Sequence, residues 1–576
     1  MSTEAMDKSL QARIHAELEK EPEGRAITFY EDDGSYSWYT REQFLTWATG
    51  YAAWLADNGL GQGDVCILVL PSDKVSTLVL VGALLLGAVP LLVAPPVLQA
   101  KGAFSSLTQI LHRIIGKTKP RVVVCPDSLT HLQEELEKGG RGARFLFGTG
   151  DVSSDASVAL PTIVPCGTDV AAMQLTSGTT GFPRVCVWRQ ENVTAALDGM
   201  VTAMKLSRED VCLNWTPLYH DMGLVNNFFL CFTSGVPLVM MRPTDFVRTP
   251  ALWLRGLFET GATVTWSPNF GFAITAQRVR DSEIEGVRLD GVRAFWNAAE
   301  RIHYETVRAF HERFAPVGVR LDALKTNYGC AENVGGATFS DPDGMFIVEH
   351  LDRTFLQEEG IAQPVGDVGD DHSVPVVGVG RPHPGIRIEI LSRTGRALPD
   401  GHIGEIALDT PSRLDGYLGD ARATRRAIYG DLLRTGDMGY MRGEQLFWTG
   451  RVRDRITVRG VKLDPSDLEP VLLKVPGLRH GSFAAFGVDD EEQGTQRIVV
   501  VAEVRDTTSR PPKEISGDIR SQVLKRLGVN ISEVILVRKG TLTKTSSGKR
   551  RHRYFHHLYL EGELDDYEWQ PQETAG

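Results

Sequence analysis

Paired cysteines, an excess of basic charge and long uninterrupted apolar runs are all missing from this sequence. Its seven cysteines, at 66, 125, 166, 186, 212, 231 and 330, form no CxxC pair and no Cys/His cluster. That odd, scattered set excludes a disulfide framework and a zinc ribbon, and reads as reduced thiols packed as small hydrophobes in a cytoplasmic protein. Acidic side chains outnumber basic ones, 73 to 62, for a formal charge of −11, which argues against a general nucleic-acid binder. Residues 1–24 contain no apolar signal region, so secretion is not expected. No GxxxxGK[ST] loop is present, which excludes that phosphate-loop spacing, and no GxSxG elbow, which removes a hydrolase reading.

One stretch, Val75–Leu98, has no charge and is long enough to cross a membrane. Gly87, Pro90 and Pro95-Pro96 divide it, so a buried helix (Ser76–Leu86) followed by a buried strand (Val89–Val93) is expected instead, with no membrane span.

What is present alternates. Ala26–Tyr30 and Tyr36–Trp38 flank the turn Asp32-Asp33-Gly34 as a hairpin, and Thr40 with Gln43 reads as a capping box for a helix to about Asn58. Val65–Leu70, Arg121–Val124, Pro237–Met241 and Thr263–Trp266 are apolar on both faces and separated by helical stretches. That pattern predicts an α/β fold with a largely parallel, helix-covered sheet. Ser340–Val377 has little periodicity after Gln357 and reads as a long, partly exposed connection. Ile386–Leu391 and Glu405–Asp409 alternate like antiparallel strands. A boundary near Arg451–Asp454 divides a large N-terminal αβ domain (1–452) from a small, mobile α+β domain (453–576) that ends in a loosely held acidic tail.

The strongest local signal is Leu175-Thr-Ser-Gly-Thr-Thr-Gly-Phe-Pro-Arg184. Hydroxylated residues interleaved with glycine let the backbone approach an anion and offer both N–H and O–H donors, chemistry that suits a polyphosphate; alone, the run also fits an ordinary surface loop. Further along come Pro217-Leu-Tyr-His-Asp-Met-Gly-Leu224, Asn297-Ala-Ala-Glu300 and Tyr328-Gly-Cys-Ala-Glu-Asn333. After them come Gly404-Glu-Ile with Gly416-Tyr417 and Thr424, then Arg434-Thr-Gly-Asp437, Gly450-Arg451 with Asp454, and Gly548-Lys549. Their order and wording resemble the adenylate-forming superfamily of acyl-CoA synthetases, peptide-synthetase adenylation domains and luciferases, over residues 25–560. The wording PLYHDMGL, Ser267–Phe272 (SPNFGF), NAAE and KTSSGKRR, with Ala331 in place of the common threonine, is most similar to fatty acyl-AMP ligases. The connection at Ser340–Val377 sits near the place where those ligases carry an insertion thought to hinder domain rotation.

The resemblance implies a role for each residue. Thr176, Ser177, Gly178, Thr179, Thr180, Gly181 and Arg184 would cradle the phosphates of ATP. Ala299 and Glu300, with Asn327, Tyr328, Gly329 and Ala331, would line the adenine site. Glu332 would hold Mg2+, Asp437 would grip both ribose hydroxyls beside Arg451, and Lys549 would be the catalytic lysine. His220 would border the carboxylate, and Tyr219, Asn269, Phe270 and Gly271 the acyl pocket. Arg453 and Asp454 would form the hinge. Read without the family, His220 is more often a packed core histidine and Asp437 usually a turn residue, and Lys549–Arg553 fits a solvated basic face or a nucleic-acid patch. Trp215, Phe272 and Trp296 are either core or pocket wall.

The implied function is activation of a fatty or otherwise bulky carboxylic acid as acyl-AMP, with MgATP. Transfer to a thiol follows, that of coenzyme A or of the phosphopantetheine arm of an acyl carrier protein. Arg184 and Val185 depart from the Lys-Gly usual in the phosphate loop. Arginine is a bulkier, differently aimed cation, and valine adds a branch where glycine is usual. That departure opens a second reading, an enzyme that performs only the thioesterification of a preformed acyl-AMP. A third is a catalytically inactive acyl-nucleotide-binding adaptor, against which the retained Lys549 and Glu332 argue.

Overall fold

The computed structural model describes residues 9–96, 103–140, 142–148, 166–176, 183–366, 373–490, 495–545, 549–564 and 569. The uncharged stretch is a buried helix, Lys74–Leu85, and a buried strand, Val89–Leu92. Among the described residues no helix is long and apolar enough to cross a membrane. The helix is apolar all round because it is covered all round, in part by helix Arg41–Asp57, which opens with the Thr40/Gln43 capping box. The two helices touch at Gly82, where a Cβ would lie 2.9 Å from Ala52 N and 3.0 Å from Ala48 O.

Two large sheets carry the chain up to about residue 420. One runs in the order Gly416–Tyr417, Val185–Arg189, Val170–Leu175, Val89–Leu92, Val65–Leu68, Val122–Cys125, Arg144–Phe147. The other runs Arg381–Pro382, Gly335–Phe339, Leu324–Cys330, Ala294–Ala298, Val264–Pro268, Cys212–Asn214, Leu238–Met241, Arg25–Tyr30, Tyr36–Thr40. Pairings inside the second sheet are parallel, as the doubly apolar strands require, whereas the hairpin at one edge and strands 335–339 and 381–382 at the other are antiparallel. Parallel neighbours end together. The C-terminal ends of Cys212–Asn214, Val264–Pro268, Ala294–Ala298 and Leu324–Cys330 therefore open on one edge, where ligands of parallel sheets bind.

A third, antiparallel sheet follows, with Arg387–Leu391, Gly404–Asp409 and Leu432–Arg442 in order and Gln445–Arg451 beyond. From Ile456 onward the chain builds its own apolar clusters around strands Leu478–Asp490, Thr495–Val504 and Ile531–Val537 and helix Pro512–Leu527.

Two expectations need correction. The stretch 340–377 is not a bare connection, because Val348–Asp352 pairs antiparallel with Ser373–Val377. Leu351 and Val376 from this ribbon join Tyr440 and Phe447 in a buried cluster, and Tyr440 Oη donates to Glu349 Oε2 at 2.9 Å. Five-residue strands holding Pro375 and partnered from about twenty residues away leave no local period to read. The acidic tail is not wholly loose either. Trp569 N donates to the Leu536 carbonyl at 2.7 Å, and its ring packs on the C-terminal core.

Gly82→Ala should destabilise the protein by about 1–3 kcal/mol, since backbone rather than a flexible side chain blocks the methyl. Gly116→Ala, at an exposed position of helix Ala103–Thr118 with open space at the Cβ, should gain about 0.5–1 kcal/mol. Urea midpoints moving in opposite directions for the two variants would support this packing; equal shifts would contradict it.

Candidate active site

A cleft of about 1430 Å³ opens at that edge and is roofed by the segment beyond residue 452. Thr176 and Arg184 line it from one sheet, and Tyr219 and His220 from the loop after Cys212–Asn214. Ala299 and Glu300 follow Ala294–Ala298, and Asn327 to Glu332 close strand Leu324–Cys330. Asp437, Arg451, Arg453, Asp454 and Lys549 complete the lining. Residues spread over 370 positions thus share one cleft: Thr176, Ala299 and Glu332 just beyond strand ends, Tyr328 and Arg451 near them, Asp437 within strand Leu432–Arg442, Arg184 ahead of Val185–Arg189, and Lys549 in the roof. Ser177, Gly178, Thr179, Thr180 and Gly181 lie outside the described residues.

Asp437 is buried in the middle of this wall. Tyr328 Oη donates to its Oδ2 at 2.9 Å, and the Arg451 guanidinium lies 3.2 Å from its Oδ1. A carboxylate has about four acceptor positions. These two partners fix its plane and leave lone pairs facing the cleft. Burial, then Asp437 beside it, raise the Tyr328 hydroxyl far above its usual range, so it stays a donor.

Glu332 is aimed in the same way. Tyr417 Oη donates to Glu332 Oε1 at 2.7 Å, and the Trp188 indole holds the preceding carbonyl, Ala331 O, at 2.8 Å. The Arg184 guanidinium lies over the Tyr417 ring, 5.3 Å from its centre, and pairs with Asp420 at 3.6 Å. Val185 needs none of glycine's freedom here. It opens strand Val185–Arg189, opposite Leu175, and is buried.

His220 Nδ1 lies 2.8 Å from Asp221 Oδ1. Burial would raise the Asp221 carboxyl, but His220 and then Lys549 outweigh it and hold it at about 2. Lys549 faces Asp221, Asp437 and Glu300 across the cleft. Burial, then Arg451, push its ammonium below the usual lysine value, while the three carboxylates pull it back up. Glu300 accepts from Phe270 N at 2.5 Å, and burial followed by Glu469 raises its carboxyl. Ala299 takes a left-handed φ of 69°, which a residue with a Cβ adopts only under constraint and which turns the chain into the cleft.

Asn269, Phe270 and Gly271 do not line the cleft as expected; they brace it from behind. Asn269 Oδ1 accepts from Asn297 Nδ2 and His303 N, both at 3.3 Å. Phe270 sits edge-on to Trp215, and a Cβ on Gly271 would strike Ser267 Oγ at 2.1 Å. Trp215, Phe272 and Trp296 are buried core. Of the predicted acyl-pocket residues only Tyr219 reaches the cleft, where burial lifts its hydroxyl to about 12.

Sequence reasoning missed a set of residues that joins the two sides of the cleft. Arg301 pairs with Asp467 and donates to Ser466 Oγ at 3.2 Å. His303 Nε2 lies 3.2 Å from Glu469 Oε2, and Arg550 donates to the same atom at 2.9 Å. Burial would raise Glu469, but Arg550 and then His303 hold it well below the usual carboxylate range. Lys462 reaches the Glu358 carbonyl of the 340–377 ribbon at 2.6 Å. The signal was present, because Arg301 and His303 directly follow NAAE. Asp221 was in plain sight too, as the residue after His220.

Comparison with known proteins agrees with this geometry. A putative fatty-acid–CoA ligase of Mycobacterium tuberculosis, FadD25, is 26% identical over 594 residues, covering 97% of this chain and 99% of that protein. JamA of Moorena producens, a medium-chain-fatty-acid–[acyl-carrier-protein] ligase, is 30% identical over 419 residues, 70% of each chain. A solved structure from studies of fatty acyl-adenylate ligases of E. coli and L. pneumophila superposes with a TM-score of 0.88 at 25% identity, covering 97% of this chain and 98% of that one. The AMP-binding enzyme family matches residues 14–418. The chain belongs to that family.

Proposed function

We propose that this enzyme activates a carboxylic acid, fatty or otherwise bulky, as its acyl-AMP with MgATP and then passes the acyl group to a thiol. The observation that carries this reading is the convergence of Lys549, Asp437, Glu300 and Glu332 on one cleft from both sides of the chain. A carboxylate attacking the α-phosphorus of ATP expels pyrophosphate, and negative charge grows on the phosphoryl oxygens as it does so. Cations fixed in advance lower that barrier. Lys549 serves as a point charge bridging acyl and phosphate oxygens. Asp437 accepts the two ribose hydroxyls on its open lone pairs, a charge-assisted grip. His220, set by Asp221, orients the attacking carboxylate.

Among the described residues no group of three or more His, Cys, Asp or Glu could hold a metal alone. Magnesium in phosphoryl transfer takes one carboxylate together with substrate phosphates and water. Glu332 would be that carboxylate, and the ion would neutralise phosphate charge.

The segment beyond residue 452 acts as a lid. Arg301 on Asp467 and His303 on Glu469 hold the lid against the large domain, and this closed arrangement would be the one in which Lys549 assists adenylation. Turning about Arg453 and Asp454 would break the Arg301–Asp467 and His303–Glu469 pairs, which cross the hinge, while Arg550–Glu469 travels within the lid; Lys549 would leave and the thiol would enter. Resemblance to fatty acyl-AMP ligases, and the acyl-carrier-protein acceptor in JamA's name, favour the phosphopantetheine arm of a carrier protein over coenzyme A. Free cysteines, five of them buried, agree with work in the cytoplasm. The thioesterification-only reading keeps one observation in its favour: the Arg184 charge is shared with Asp420.

ATP–pyrophosphate exchange over a panel of acids separates the two readings, since robust exchange requires adenylation and its absence with every acid would leave only the transfer step. Lys549→Ala should lower exchange roughly 10²–10³-fold, the scale for losing one preorganised charge. The depressed lysine predicts a fall in exchange at a lower alkaline pH than an ordinary ammonium would give, and Lys549→Arg, charged throughout, should move that fall upward. An unmoved alkaline limb would assign the titration elsewhere. The Arg301→Ala/His303→Ala pair should speed hydrogen exchange over 461–469; unchanged protection would remove these residues from the lid contact.

A further inference from the structure

Glu405 lines the cleft but has no part in the chemistry set out above. It lies in strand Gly404–Asp409, whose neighbour is Leu432–Arg442, the strand that carries Asp437. The ladder between them is interrupted at one place. Glu405 faces Met438 and Ala407 faces Arg434, so Ile406 alone lies opposite Thr435, Gly436 and Asp437. The extra residues must bulge out of the ladder, and a bulge re-aims the side chain it carries.

A bulge leaves backbone groups without ladder partners, and here side chains take them. Gly436 makes the turn at a left-handed φ of 74°, and its N–H donates to Glu405 Oε1 at 3.2 Å. The Asp437 N–H donates to Thr435 Oγ1 at 3.1 Å, and that hydroxyl donates to the Ile406 carbonyl at 2.8 Å. The other carboxylate oxygen, Glu405 Oε2, accepts from Arg434 Nε at 2.9 Å and again from Arg434 Nη2. One side chain therefore fixes both Arg434 and Gly436, and with them the approach of the chain to Asp437.

Tyr328 and Arg451 hold the Asp437 carboxylate itself. They set its plane, whereas the bulge sets where its backbone stands. A ribose diol needs both. Two hydroxyls reach two acceptor positions together only when the carboxylate is at the right depth as well as the right tilt, and small misplacements of such a group are costly.

We propose that Glu405 is a positioning residue for the nucleoside: it closes the bulge at 435–437 and so sets the depth at which Asp437 meets both ribose hydroxyls. By holding the Arg434 guanidinium it also keeps that cation from competing with the ribose for Asp437. Glu405 touches no reacting atom and acts through Asp437. This rests on the adenylating function above.

Titration calorimetry of the full chain with AMP, 2′-deoxyAMP and 3′-deoxyAMP tests this, because each deoxy analogue lacks one hydroxyl of the diol. Wild-type protein should prefer AMP to either analogue by about tenfold, the scale of one charge-assisted hydrogen bond. Glu405→Gln, which keeps the shape and removes the charge, should cut that preference to about threefold or less, while the KM for the acid in pyrophosphate exchange stays within about twofold. Glu405→Gln/Asp437→Ala should lower AMP affinity no further than Asp437→Ala alone, since one residue acts through the other. Arg434→Gln, which leaves the Glu405–Gly436 bond, should lower the preference less than Glu405→Gln does. A Glu405→Gln protein that keeps the wild-type preference overturns the proposal, as does a further loss of AMP affinity in the double variant. Should Glu405→Gln fail to fold, a lowered preference in Arg434→Gln supports the proposal and an unmoved one overturns it. Wild-type protein that binds AMP and both analogues alike overturns the ribose grip itself, and with it the nucleoside site of the adenylating function.

Discussion

Everything in this structure turns on a buried carboxylate, Asp437, clasped by the Tyr328 hydroxyl and the Arg451 guanidinium. Leaving a carboxylate uncompensated in such a place costs several kcal/mol, so both partners must arrive together. Tyr328 arrives on a parallel strand of the large sheet, and Arg451 at the end of the last strand before the lid. The clasp therefore joins the parallel sheet to the antiparallel one and puts the start of the lid at the cleft. Lys549 then reaches the same space from the far end of the chain.

The site is consequently a seam. One side is the aligned ends of parallel strands, a rigid edge that fixes His220, Glu300 and Glu332. The other is a small unit with its own apolar core, joined to it by the Arg301–Asp467 and His303–Glu469 pairs. Partly buried pairs of this type lock geometry more than they add stability. Under the proposed lid motion they would suit a contact made in one state and broken in the next.

Much of this was legible beforehand. The buried helix and strand within Val75–Leu98, the hairpin and the capping box at Thr40 follow from breakers, caps and periodicity, all of which are local. The cleft residues were legible because family motifs are short and ordered along the chain. Four features were not. The ribbon of Val348–Asp352 and Ser373–Val377 is held by pairing across a long gap and by Tyr440 and Phe447, none of which leaves a local period. Asn269, Phe270 and Gly271 were assigned to the pocket by motif position, but packing against Trp215 turns them behind the wall. Val185 looked disruptive as a replacement for glycine, yet in a strand its branch is an advantage. The ion pairs at Arg301 and His303 were hidden for another reason: their partners lie more than 160 residues away.

The most direct measurement is a crystal structure with a non-hydrolysable acyl-adenylate analogue. The account predicts both ribose hydroxyls on Asp437, with the adenine beside Tyr328 and the Ala299–Glu300 turn and the acyl–phosphate linkage near Lys549. A sugar bound elsewhere, with Asp437 still contacting only Tyr328 and Arg451, would contradict it.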